Sequence, residues 1–215
     1  MNLSLSEATL KRFWPHATDA VIAGTVAAWP QVSAHYSFNS ALRCAHFWGQ
    51  ISWECNGGTE LRENLDYTAL RLVDVFGGGH ARVTLAEAES IAHNPEAIGE
   101  RVYGLGNPVM AKELGNVKQG DGFNFRGAGA LNTTGREAFD RMGRAIGQNL
   151  VDNPEAANDP AISLWMGAAE YAELGCIAFA DGDKTTLETR RINGGLNGLQ
   201  GRIDLIAKWK SVFDA

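Results

Sequence analysis

Ala41-Leu42-Arg43-Cys44-Ala45-His46-Phe47-Trp48-Gly49-Gln50-Ile51-Ser52-Trp53-Glu54-Cys55-Asn56-Gly57-Gly58 decides how the chain is read. Apolar side chains fall at Ala41, Cys44, Ala45, Phe47, Trp48, Ile51 and Cys55, the i, i+3, i+4 spacing of a largely buried helix. Asn56-Gly57-Gly58 supplies its stop. Upstream, Leu5 to Trp14 and Ala17 to Trp29 have helical period and are expected to end at Pro15 and Pro30. Downstream, Thr68 to Phe76 predicts a short helix closed by Gly77-Gly78-Gly79. Thr84-Leu85-Ala86-Glu87 has the form of a capping box, and Asn94-Pro95 that of an N-cap and first helical residue, opening a helix to Tyr103.

Residues 104 to 130 are rich in glycine, Asn and Asp and lack a sustained helical period; a loop this long is either functional or a sign that the helix assignment there is wrong. Helical signals resume with a second capping-box pattern at Thr134-Gly135-Arg136-Glu137, running to about Ile146. Asp159-Pro160 opens an apolar helix through Leu164, Trp165, Ala168 and Tyr171. Glu188 to Ile192 reads as helix, broken by Asn193-Gly194-Gly195, and Arg202 to Phe213 closes the chain. Short strands are expected only near Asp66 or Phe123-Asn124-Phe125. The expectation is a mainly α, single catalytic domain over 1–215 with little β structure.

The chain has 215 residues, 45% of them hydrophobic and 20% charged, which suits a soluble globular protein. A formal net charge of −6 without any basic block argues against a nucleic-acid partner. Cys44, Cys55 and Cys176 form no CxxC motif and are read as buried free thiols. His16, His35, His46, His80 and His93 have no metal-ligand spacing, so neither a metal nor another cofactor is expected. Met1-Asn2-Leu3-Ser4-Leu5-Ser6-Glu7 lacks the pattern of an export signal, which predicts synthesis in the cytoplasm. The apolar run Ala20 to Trp29 is too short for membrane insertion. A monomer is expected.

Glu54 ends the apolar helix, beside Trp53 and near Trp48 and Ile51. The negative end of the helix dipole and apolar neighbours both disfavour a charged carboxylate there, as a general acid requires. Glu63, nine residues on in Arg62-Glu63-Asn64-Leu65-Asp66-Tyr67, has polar neighbours in sequence and is expected to stay ionised. Two carboxyl groups in divergent environments are what glycoside hydrolysis uses, although most such pairs are solvated surface.

Gln50-Ile51-Ser52-Trp53-Glu54-Cys55-Asn56-Gly57-Gly58 followed by Glu63-Asn64-Leu65-Asp66-Tyr67 resembles the first catalytic segment of glycoside hydrolase family 19, which contains chitinases and phage endolysins. Gly115-Asn116, Gly120-Asp121-Gly122-Phe123-Asn124-Phe125-Arg126-Gly127-Ala128-Gly129, Asn132-Thr133-Thr134-Gly135-Arg136 and Ile192-Asn193-Gly194-Gly195-Leu196-Asn197-Gly198-Leu199 resemble further blocks of that family, in its order. The resemblance implies a lysozyme-like, two-lobed fold with a cleft, and hydrolysis of β-1,4 bonds in N-acetylglucosamine polymers with inversion.

By the same resemblance, Glu54 is the general acid and Glu63 the general base, and Thr134 holds the attacking water unless it is only a helix cap. Asn193 touches sugar or merely stops a helix. Arg202 sits near the acid or pairs on a helix surface. Tyr67, Tyr103, Asn116 and Asn132 are expected among the sugar contacts, with Trp53 as a cleft wall. Ala128 and Ala138 depart from the family's pattern by removing sugar-binding donors. The expected function is an endolysin-type enzyme acting on bacterial peptidoglycan, reaching the wall through a holin-type membrane hole. The alternatives are a bacterial chitinase acting on chitin oligomers and a non-catalytic glycan-binding relative.

Overall fold

The computed structural model describes residues 3–79 and 81–215; His80 and the Met1-Asn2 start of the export-signal reading lie outside them. Among the described residues the chain is mainly helical. In order, the helices are α1 (Glu7–Phe13), α2 (Asp19–His35), α3 (Ala41–Glu54), α4 (Ala69–Phe76), α5 (Leu85–Ile91), α6 (Pro95–Val102), α7 (Pro108–Leu114), α8 (Asp121–Asn124) and α9 (Arg136–Ile146). A 3-10 turn at Pro154–Asn158 precedes α10 (Pro160–Glu173), α11 (Cys176–Asp181), α12 (Thr185–Asn193) and α13 (Leu199–Phe213). The only β pairing described is a pair of isolated bridges, Arg62 to Ala128 and Ala128 to Thr133. The strand expected at Phe123-Asn124-Phe125 is instead the short helix α8, closed by its Phe125 cap.

Most boundaries follow from the caps. Ser40, Thr68 and Thr84 each accept the N–H three residues on, and Thr84 with Glu87 completes the capping box. Asn94-Pro95 and Asp159-Pro160 open α6 and α10 as their residue types require. Three expectations fail.

Pro30 lies inside α2 rather than ending it. It loses one backbone hydrogen bond, but Trp29 and Val32 on either side of it are buried, and that burial carries the helix on to His35. The supposed loop of residues 104–130 contains α7, opened by Asn107-Pro108 with the same cap chemistry as Asn94-Pro95. Thr134 does not cap α9. Gly135 holds that place at φ +99°, where a Cβ would meet the Leu114 carbonyl oxygen at 2.6 Å, so the second capping box does not form.

The chain divides into two compact units. One comprises the chain up to Leu61, Gly129–Asn132 and Ala157–Ala215. Its core is aromatic: Trp48 packs on Trp29 and Trp209 at centroid distances of 5.0 and 5.3 Å, with Phe38, Phe47 and Tyr171 beyond. Helix α13 lies directly against α3 at Gly49, where any Cβ would strike Ile206. Trp14 and Trp209 both donate to the Ser52 hydroxyl, at 2.8 and 3.1 Å, and so pin the last turn of α3 from two sides. All three cysteines belong to this unit, and burial pushes each thiol up to about 12.

The other unit comprises Arg62–Ala128 and Thr133–Ala156. Leu65, Leu72, Val83, Ala88, Ile98 and Val102 form its core, with Tyr67, Phe76 and Tyr103 packed against it. Phe125 and Phe139 form a second buried pair. No helix among the described residues is long and apolar enough to cross a membrane.

Candidate active site

Glu54 is the final residue of α3, so its side chain leaves the helix where the backbone turns through Asn56, Gly57 and Gly58, all at positive φ. Its surroundings differ from the apolar setting inferred from sequence. Oε1 accepts a 2.5 Å hydrogen bond from Nη2 of Arg202, in the first turn of α13. That arginine is only 1% exposed. Its Nη1 donates to Gln50 Oε1 at 2.7 Å and its Nε reaches the Asn197 carbonyl at 3.4 Å. Arg202 is therefore buried behind the carboxyl and holds it.

Trp53 is 42% exposed. Its indole lies on the start of α13, where a Cβ at Gly198 or Gly201 would fall 2.3 or 2.0 Å from a ring atom. Only glycine at these two places leaves room for the ring. Trp53 and Glu54 line a cavity of about 600 Å³ whose walls also carry His16, Glu60, Asp204 and Lys208. Trp53 is thus exposed beside Glu54 on the same cavity.

In the other unit, Glu63 is held by both backbone and side chain. Its N–H donates to the Gly127 carbonyl at 2.8 Å, and Arg126 Nε donates to the Glu63 carbonyl at 3.0 Å. The carboxyl accepts the Tyr103 hydroxyl at 2.9 Å on Oε1 and the Gly127 N–H at 3.3 Å on Oε2. Polar sequence neighbours suggested a solvated group; the structure buries it instead. Burial raises the Glu63 pKa above 4.5, outweighing Tyr103, Gly127, Arg126 and Arg62, which all favour the charged form. A carboxylate with a raised pKa is the stronger base. Tyr103, buried beside it, holds its proton more firmly than an ordinary phenol, so it donates.

This geometry has a signed consequence. Activity that needs ionised Glu63 falls as pH drops through a value above 4.5. Tyr103→Phe deletes a hydrogen bond favouring the ionised form, so the acid limb of the kcat/KM profile is expected to move to higher pH. A limb that stays put or moves down contradicts the contact.

The remaining candidates divide. Tyr103 joins Glu63, whereas Tyr67 is half-buried and packs edge-on against Phe76. Asn116 is buried, with Nδ2 on the Tyr103 carbonyl and Oδ1 accepting the Arg136 N–H, both at 2.9 Å, so its amide ties the loop together. Asn132 is exposed, at φ +58°. Asn193 is exposed at the end of α12. Its amide bridges the turn, donating to the Asn197 carbonyl at 3.0 Å and accepting the Gly195 N–H at 2.9 Å. Thr134 is half-buried, immediately before the Gly135 cap.

No protein-family model matches the chain. A Haemophilus influenzae protein described as a glycosyl hydrolase family 19 domain-containing protein is 30% identical over 207 residues, 95% of either chain. The chain belongs to glycosyl hydrolase family 19. Chitinase C from Streptomyces griseus HUT6037 matches it with a TM-score of 0.62 at 17% identity, over 100% of this chain and 94% of that one. A chitinase C mutant gives 0.58 at 16% over the same shares. The protein is a glycoside hydrolase with a mainly helical, lysozyme-like fold.

Within this family 19 chain, Ala128 is fully buried between its bridges to Arg62 and Thr133, so the position offers a sugar no donor. Sequence reasoning also passed over His46, Gln50 and Glu188, which are wholly buried. The signal was present: His46, Gln50 and Glu54 recur every four residues along an otherwise apolar helix, which puts them on one face.

Proposed function

We propose that this family 19 enzyme cleaves the β-1,4-linked glycan backbone of bacterial peptidoglycan with inversion, Glu54 acting as acid and Glu63 as base. Protonated Glu54 gives its hydrogen to the glycosidic oxygen as that bond breaks. Ionised Glu63 takes a proton from water, and the water oxygen bonds to the anomeric carbon on the opposite face. The products are a free hydroxyl on one sugar and an inverted hemiacetal on the other. Tyr103 and the Gly127 N–H support this role by orienting Glu63.

The observation that favours peptidoglycan is the charged wall beside Glu54: His16, Glu60, Asp204 and Lys208 on the cavity it shares with Trp53. Chitin is a neutral polymer and gives such groups nothing to pair with, whereas the stem peptides of peptidoglycan carry ammonium and carboxylate groups. The test compares sugar release from purified cell wall with release from chitin oligomers. Release from wall is the expected result. Activity on chitin with none on wall assigns the enzyme to the chitinases, the reading to which the chitinase C likeness lends its fold.

Thr134 is proposed to hold the attacking water through its hydroxyl. Thr134→Val keeps the shape and deletes one hydrogen bond worth about 1–2 kcal/mol, so kcat should fall about five- to thirtyfold. Steady-state kinetics with an unaltered kcat would remove Thr134 from the mechanism.

A further inference from the structure

A chain of buried polar groups runs from Glu54 back along α3. Arg202 Nη1 donates to Gln50 Oε1 at 2.7 Å, and Gln50 Nε2 donates to Glu188 Oε2 at 3.4 Å. Glu188 Oε2 lies 2.5 Å from His46 Nδ1, and its Oε1 accepts the Tyr171 hydroxyl. His46 Nε2 lies 2.8 Å from Asp183 Oδ1, and Lys210 Nζ donates to both oxygens of Asp183 at 2.7 Å. His46, Gln50 and Glu188 are 0% exposed and Arg202 1%.

Hydrogen-bond chemistry leaves this chain few alternatives. A guanidinium only donates and a carboxylate only accepts, so the Gln50 amide must turn its oxygen to Arg202 and its nitrogen to Glu188. Both ring nitrogens of His46 face carboxylate oxygens. A neutral imidazole has one N–H and would set its lone pair against the other carboxylate, so the arrangement calls for the imidazolium. Burial pulls the ring's pKa down, but the hydrogen bonds and charges of Glu188 and Asp183 outweigh it and leave it raised. A buried ion pair adds little net stability over apolar groups of equal volume. It does impose one geometry on whatever it touches.

We propose that Glu188, neutralised by His46, is a positioning residue for catalysis: it fixes the Gln50 amide, which fixes Arg202, which holds the Glu54 carboxyl in its working place. Neither Glu188 nor His46 touches substrate. The relay rests on the reading of Glu54 as the acid.

The test is a double-mutant cycle on kcat and KM in the full chain, using whichever of purified wall or chitin oligomers is hydrolysed. Glu188→Gln and Gln50→Met are each expected to lower kcat about tenfold while KM changes less than about twofold. Because both act through one path, the double variant should be no slower than Gln50→Met alone. A role confined to stability would lower the melting temperature additively and leave kcat per folded molecule unchanged. If Glu188→Gln does not fold, His46→Gln replaces it in the cycle with the same expectation. An unchanged kcat in the singles, or losses that multiply in the double, overturns the relay. Turnover retained by Glu54→Gln would instead sink the acid assignment, whereas a dead Glu54→Gln beside multiplying losses sinks the relay alone.

Discussion

Glu54→Gln should lower kcat roughly 10²–10⁴-fold, the share of catalysis that a positioned proton donor supplies. Gln matches the carboxyl in volume and still accepts the Arg202 hydrogen bond, but it has no proton to give a departing sugar oxygen. The variant should also be less stable. Arg202 is buried and loses the Glu54 carboxyl, keeping the Gln50 and Asn197 oxygens. An amide oxygen is a weaker acceptor for a guanidinium than a carboxyl oxygen, a difference of about 1 kcal/mol. Chemical denaturation beside steady-state kinetics separates the two effects. A variant that still turns over at the wild-type rate removes Glu54 from the chemistry, whatever its stability.

Glu63→Gln is expected to lose a comparable factor, roughly 10²–10⁴, with the opposite effect on stability. The folded pKa of Glu63 lies above its ordinary value because burial penalises the charge. The stabilisation from this group is therefore complete below pH 4.5, the ordinary glutamate value, and is lost as pH rises through the raised folded value. Near neutrality the wild type carries an ionised, poorly solvated carboxylate, and Gln relieves it. The variant should be at least as stable as wild type at pH 7 while nearly inactive, and its melting temperature should lose the decline that wild type shows on leaving acid pH. Equal pH dependence in both proteins would contradict a raised value for Glu63.

These two residues also mark how far sequence reading reaches. They could be named as candidates because the segment around them, with its Asn56-Gly57-Gly58 break, is local. Helix α3 and the openings of α5, α6 and α10 were legible for the same reason, each being set by a cap within three residues of the first turn. Their environments were not legible. The partner of Glu54 stands 148 residues away, and those of Glu63 stand 40 and 64 residues away. Sequence neighbours therefore made Glu54 look apolar and Glu63 look solvated, when the first accepts a hydrogen bond from a buried arginine and the second is pressed by burial. Pro30 misled in a similar way, since a local rule gave way to the burial of Trp29 and Val32. The helix at Asn107-Pro108 was a missed local signal, masked by the glycines around it. Gly135 displaced Thr134 as a cap because Leu114, in a different helix, leaves no room for a side chain there.

The most direct measurement is proton NMR of the first products released from purified peptidoglycan, read before mutarotation. Water attack opposite the broken β-1,4 bond, with Glu63 as base and Glu54 as acid, predicts new reducing ends that appear first as the α anomer. β-anomer ends, anhydro-sugar ends formed without water, or no release from wall at all would contradict it.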